Sequence, residues 1–294
     1  MWLGGLLAVA LGVGAALAGQ LAQGASQRPV VVIGSKGFSE QYILARLIGQ
    51  RLEGAGYAVA YRDGLGSAVV HSAVSSGAID VAVDYTGTLW TNQMKRADNP
   101  GREAMYRALV RWKEQTGEAR IFGRLGFENA YGLAMQRKRA ERLGIRSIAD
   151  LAARGRGLTI GGDPEWFERP EWDAVRTAYG LDFAAQRTFS PTFMYNALVS
   201  GDAQVISAYT SDGRIAADDL VILADPKGAL PGYDALIVLG PSAARDARLQ
   251  AALRPLLGAI EVAAMREANY AVDRTEDKLT PDEAARRLAR RAGL

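Results

Sequence analysis

An α/β protein of two similar lobes with a ligand cleft between them is what this chain's sequence predicts, and three features predict it. Residues 73–86 and 197–210 repeat each other without a gap at a spacing of 124, so that Gly56 answers Gly180, Ala73 answers Ala197, Gly77 answers Gly201, Val81 answers Val205, Tyr85 answers Tyr209 and Thr86 answers Thr210. Around each copy the chain alternates strand-like and helix-like segments, the order that builds parallel sheets. A length of 294 residues is enough for two compact units.

The elements follow in order. Val30–Ile33 is a continuous β-branched run suited to a buried parallel strand. Gly34-Ser35-Lys36-Gly37 turns the chain, and Ser39 is expected to cap a helix reaching about Glu53, with Ile43, Leu44, Leu47, Ile48 and Leu52 on one stripe. Tyr57–Arg62 is a second strand, Val69–Ser76 a helix and Ile79–Val83 a third strand. Asn99-Pro100-Gly101 breaks the chain before a helix over Arg102–Thr116. Ala130–Met135 reads as a strand, and the first crossing between lobes is placed there.

The second lobe repeats the order. A capping pattern at Ser147–Asp150 starts a short helix. Leu158–Ile160 is a strand, followed by a helix near Trp172–Tyr179, a strand over Asp182–Arg187, a helix over Thr192–Ser200 and a strand over Gln204–Ala208. Leu220–Leu223 and Ala235–Leu239 are further strands, and Thr280-Pro281-Asp282-Glu283 starts the last helix. The expected division is lobe I from residues 28–130 plus 234–294, and lobe II from 131–233.

The first 27 residues carry no charged side chain, and Trp2–Ala18 is apolar with small residues at its end. This segment reads as an export signal outside the fold, with an uncleaved membrane anchor as the alternative.

Composition excludes several chemistries. With no cysteine there are no disulfides, thiolate metal sites or cysteine nucleophiles. The single histidine, His71, falls mid-helix opposite Tyr195 in the repeat, which favours a structural role. A net charge of +3 and basic patches without interleaved aromatics give no nucleic-acid footprint. There is no Gly-x-Ser-x-Gly elbow or phosphate-binding Gly-x-x-x-x-Gly-Lys loop, and no cofactor is called for. Ligands of open α/β sheets lie beyond the carboxyl ends of strands, where Lys36, Tyr85, Thr88 and Tyr209 fall. Tyrosine faces attract a cation placed over them, and matched rings on two lobes suit a clamp better than a catalytic centre.

Gly34-Ser-Lys-Gly-Phe-Ser-Glu-Gln41, Gly77-x-x-Asp80 and Asp84-Tyr-Thr-Gly-Thr88 together resemble the osmoprotectant-binding proteins of ABC importers, the receptors for glycine betaine, choline and carnitine. The resemblance runs from about Val30 to the carboxyl terminus. It implies a two-lobed periplasmic-binding-protein fold (type II) with parallel-dominated sheets. It also implies a box of four tyrosines around a quaternary ammonium group: Tyr85, Tyr131 in Asn129-Ala-Tyr-Gly-Leu-Ala134, Tyr209 in Ala208-Tyr-Thr-Ser-Asp-Gly213, and Tyr233 in Leu230-Pro-Gly-Tyr233. Lys36, Thr88 and Arg169 map onto the family's carboxylate clamp. Gly37, Ser39 and Asp84 depart from the family's usual asparagine, threonine and glutamate, and bear on ligand preference. Trp90, Trp166 and Trp172 lie near the mapped loops. The resemblance further implies a monomeric periplasmic protein, not an enzyme, that hands a betaine-type ligand to a permease driven by an ATPase. A bulkier betaine such as carnitine, proline betaine or ergothioneine, choline, or a sensory role are the alternatives.

Overall fold

The computed structural model describes residues 28–164 and 166–294; the expected export signal lies outside the described residues. The chain begins with β1 (Val30–Lys36), exposed at Val30 and buried at Val31 and from Ile33 onward, where β2 and β3 pair with both its edges. It continues through β2 (Ala58–Leu65), β3 (Val81–Tyr85), β4 (Arg120–Glu128) and β5 (Tyr131–Gln136). Then come β6 (Thr159–Gly162), β7 (Ala185–Thr188), β8 (Val205–Tyr209), β9 (Leu220–Ile222) and β10 (Asp234–Leu239).

These strands form two sheets of the same design. The first has the order β2-β1-β3-β10-β4 and the second β7-β6-β8-β5-β9. In the first, β1 runs parallel between β2 and β3, with Ile33 opposite both Tyr61 and Val81. In the second, β6 does the same, with Ile160 opposite Gln186 and Val205. One strand in each sheet runs against the rest: β10 lies between β3 and β4, and β5 between β8 and β9. Four strands of five therefore share a direction, and β10 returns to the first sheet after the chain has built the second.

The repeat spacing holds only locally. β3 and β8 match residue for residue, as do the helices Ser67–Ser76 and Pro191–Ser200. The structural counterpart of Ile33 is Ile160, three positions later than that spacing predicts, because the stretch from Ile33 to helix Ser67–Ser76 is three residues longer than the one from Ile160 to helix Pro191–Ser200.

Helices cover the sheets through apolar stripes. Ser39–Gly54 buries Ile43, Leu44, Leu47, Ile48 and Leu52 against the first sheet. Ser39 does not cap this helix. Phe38 holds the cap position without a side-chain hydrogen bond, and the Ser39 hydroxyl donates instead to Asp273 at 2.5 Å. The other two start signals are realised: Ser147 and Thr280 each close a capping box, with Asp150 and Glu283. β4 was not anticipated. Its buried positions alternate, but glycines and arginines between them blur the period. His71 is half-buried and stacked on Trp112 at 5.9 Å, a packing role. A single apolar core extends from the first sheet into the second, taking in Phe127, Tyr131, Trp166 and Tyr233.

Candidate ligand site

Strand direction brings the mapped residues to one edge of each sheet. Lys36, Tyr85 and Tyr209 are the last residues of β1, β3 and β8. β5 and β10 run oppositely, so their first residues reach the same edges: Tyr131 pairs with Tyr209, and Ala235 with Tyr85. Tyr233 precedes β10 by one residue.

Three of the four tyrosines meet. The Tyr131 ring lies 5.0 Å from that of Tyr209 and 5.8 Å, edge-on, from that of Tyr233. Trp166 adds a fourth ring 5.0 Å from Tyr131, and its indole is fully buried. Tyr209 donates to Asp163 at 3.2 Å, and Tyr233 donates to Glu171. Tyr85 stands apart from this group. Its ring stacks on Phe38 at 6.4 Å, and its hydroxyl donates to Glu40 at 2.6 Å while accepting from Gln41 at 3.0 Å.

The mapped clamp residues divide in the same way. Lys36 is buried, pairs with Asp84 at 2.5 Å and stands 5.1 Å over the Tyr85 ring. Thr88 is buried at the end of the short turn of helix Thr86–Thr88 that leaves β3. Gly87 in that turn lies flat against Tyr233: a methyl group there would come within 2.5 Å of the ring. Arg169 lies on the other side, donating to Glu171 at 3.0 and 3.2 Å and to the Tyr233 hydroxyl at 3.0 Å. Its guanidinium centre is 4.9 Å from the Tyr131 ring centre, so the structure already places a cation on that aromatic face.

Burial sets the protonation states. It pushes the Tyr131 phenol up to about 12, and raises Tyr209 and Tyr233 further with help from neighbouring phenolic and carboxylate groups. The phenols are neutral at physiological pH, so the rings would meet a cation through their π faces and not through a phenolate charge. Burial also opposes ionisation of Glu171, but the Arg169 guanidinium outweighs it and holds the carboxyl below the usual range.

Glu40 behaves differently. Burial pushes its carboxyl up despite hydrogen bonds from Tyr85, Asn129 and Asn269. Asn129 lies between β4 and β5, and Asn269 also donates to the Ser211 carbonyl just past β8 at 2.9 Å. The carboxylate thus joins a mapped tyrosine to the place where the chain passes between sheets.

Sequence reasoning passed over Asp163, Glu171 and Glu40. A signal existed for Glu171, two residues from Arg169 in a turn, and for Asp163, directly beyond a strand. Among the described residues no group of three His, Cys, Asp or Glu side chains is arranged to hold a metal. The arrangement offers neutral aromatic faces, paired acids and buried cations, which suits holding an organic cation.

Comparison with known proteins agrees with this chemistry. A family model described as the substrate-binding domain of an ABC-type glycine betaine transport system matches residues 29–290. A glycine-betaine-binding protein of Pseudomonas aeruginosa is 31% identical over 283 residues, covering 92% of this chain and 90% of that protein. An ergothioneine transport permease/ergothioneine-binding protein of Helicobacter pylori is 28% identical over 273 residues; the match covers 91% of this chain but only 48% of that longer protein. A crystal structure of a glycine betaine/carnitine/choline ABC transporter superposes with a TM-score of 0.81 at 26% identity, over 90% of this chain and 98% of that one.

Proposed function

This chain belongs to the family of substrate-binding domains of ABC-type glycine betaine transport systems, and we propose that it captures a small betaine for such an importer. Tyr85, Tyr131, Tyr209 and Tyr233 surround the ligand's quaternary ammonium group, and Lys36, Thr88 and Arg169 hold its carboxylate. The lobes are residues 28–130 with 234–294, and residues 131–233, closing on the ligand from either side. The protein works outside the cytoplasm, as a monomer, and delivers its cargo to a permease powered by an ATPase.

One observation carries this reading: the Tyr131, Tyr209 and Tyr233 rings converge at the strand edge, with a guanidinium resting on the central one. A quaternary ammonium cannot donate hydrogen bonds and sheds water readily, so it competes well for such faces. Each desolvated ring contributes about 1–2 kcal/mol, and a charge-assisted pair to the carboxylate adds more than a neutral hydrogen bond does. Because the three rings already touch, the ligand enters by parting them and by drawing Lys36 away from Asp84. Isothermal titration with glycine betaine, carnitine, ergothioneine and choline tests the proposal. Betaines are expected to bind more tightly than choline, which lacks the carboxylate; absence of binding by all four sinks the reading.

A further inference from the structure

We propose that Lys113 is a positioning residue for ligand capture: a buried second cation that balances Asp84 when Lys36 leaves that carboxylate for the ligand. The inference rests on the betaine-binding reading above and adds to it a residue that acts through Asp84.

Lys113 stands where the fold calls for an apolar side chain. Helix Arg102–Thr116 buries Met105, Leu109 and Lys113, four residues apart, as its inward stripe. Lys113 is 1% exposed, yet it enters no ion pair among the described residues. Its ammonium donates to the Ser75 hydroxyl at 3.3 Å, and stands 3.4 Å from His71 Nε2 and 4.5 Å from the Trp112 ring centre. None of these groups carries a compensating negative charge. Burial accordingly disfavours the charged ammonium, and the Glu118 and Asp84 carboxylates act the other way. A buried charge without an opposite partner costs stability, so packing alone does not account for a lysine at this position.

Asp84 lines the same small cavity. It encloses about 10 Å³ and is bordered by Asp84, Lys113, His71 and Ser75 among others. That is room for about one water, and the polar partners such a water needs are supplied by these four side chains. The Lys36 ammonium and the Tyr85 amide both donate to Asp84 Oδ1, at 2.5 and 2.9 Å, whereas Oδ2 accepts no hydrogen bond among the described residues. Asp84 therefore keeps one oxygen for a second cation. Capture of a carboxylate draws Lys36 off Asp84 and strips a buried acid, itself 3% exposed, of its counter-ion. Losing one member of a buried pair is strongly unfavourable while the other stays charged. A second ammonium held on the same cavity lowers that cost, through a bridging water or a short shift of the lysine's flexible stem. Lys113 thus loosens the hold of Asp84 on Lys36. Choline makes no such demand, since it brings no carboxylate.

Lys113→Met, which keeps a long unbranched stem and removes the charge, tests this by titration calorimetry with glycine betaine and choline and by thermal melting without ligand. Glycine betaine is expected to bind about tenfold more weakly, and choline as it does to the wild type. The melting temperature of the unliganded variant is expected to match or exceed that of the wild type, because Asp84 keeps Lys36 there. On a Lys36→Ala background, Lys113→Met is expected to cause no further loss of glycine betaine affinity. Lys113→Gln repeats the comparison should Lys113→Met fold poorly. Equal losses for both ligands overturn the proposal by giving Lys113 a packing role. Unchanged glycine betaine affinity overturns it outright, as does a further loss on the Lys36→Ala background. In each of those cases wild-type binding of glycine betaine leaves the betaine reading intact. A wild type that binds neither ligand overturns that reading, and this proposal with it.

Discussion

Tyr131 touches both Tyr209 and Tyr233, whereas Tyr85 is held by Glu40, Gln41 and Phe38 in a separate pocket of the core. The four mapped tyrosines are therefore unequal. Tyr209→Ala removes a ring that every quaternary ligand meets, and is expected to weaken glycine betaine and choline alike by about 1–2 kcal/mol, or roughly 5- to 30-fold in Kd by calorimetry. Lys36→Ala is expected to weaken glycine betaine far more than choline; equal losses for the two ligands would refute its assignment to the carboxylate. Glu40 has a pH signature. Because burial raises its carboxyl above the unfolded value of about 4.3, the folded state keeps this proton to higher pH than the unfolded chain does. Its contribution to stability is complete below that value and is lost as pH rises through the folded-state value. Glu40→Gln should remove that decline, so that the variant's melting temperature relative to the wild type rises as pH increases above about 4.3. The tyrosines were legible because a repeat and short motifs mark them. Glu40 was not, since its partners Asn129 and Asn269 come from distant parts of the chain.

At the scale of elements, the turn Thr86–Thr88 does two jobs. The Thr86 hydroxyl accepts from the Asp234 amide at 2.9 Å and donates to the Gly232 carbonyl at 3.0 Å, which fixes the entry into β10. Gly87 leaves room for the Tyr233 ring. Gly87→Ala is expected to displace that ring, costing about 1–3 kcal/mol of stability through overpacking and weakening both ligands, as read by thermal melting and calorimetry. The parallel strands and their helices were legible because apolar runs alternate with helical stripes. β4 escaped because Gly123, Arg124 and Gly126 interrupt its alternation, and its pairing with β10 spans more than a hundred residues that no local pattern reports. The cap at Ser39 failed for a related reason: its hydroxyl is drawn to Asp273, which only the folded chain brings near.

For the whole molecule, the repeat showed that two lobes exist, but not that their aromatic residues close on one another or that Arg169 rests among them. Those facts depend on how the sheets face each other, and a 124-residue spacing carries no such information. The chain leaves the first sheet at Glu128 and re-enters it at Asp234, and at that doorway the Asn129 amide donates to the Tyr233 carbonyl at 3.0 Å. Everything between is consequently an insert whose two ends emerge side by side. Excising residues 131–233 and joining the stumps with a turn of about two to four residues should yield a miniature protein that melts in one cooperative step by circular dichroism and has lost all capacity for cargo. The same doorway would accept a foreign module in place of the native one, making the remaining half a chassis for grafting.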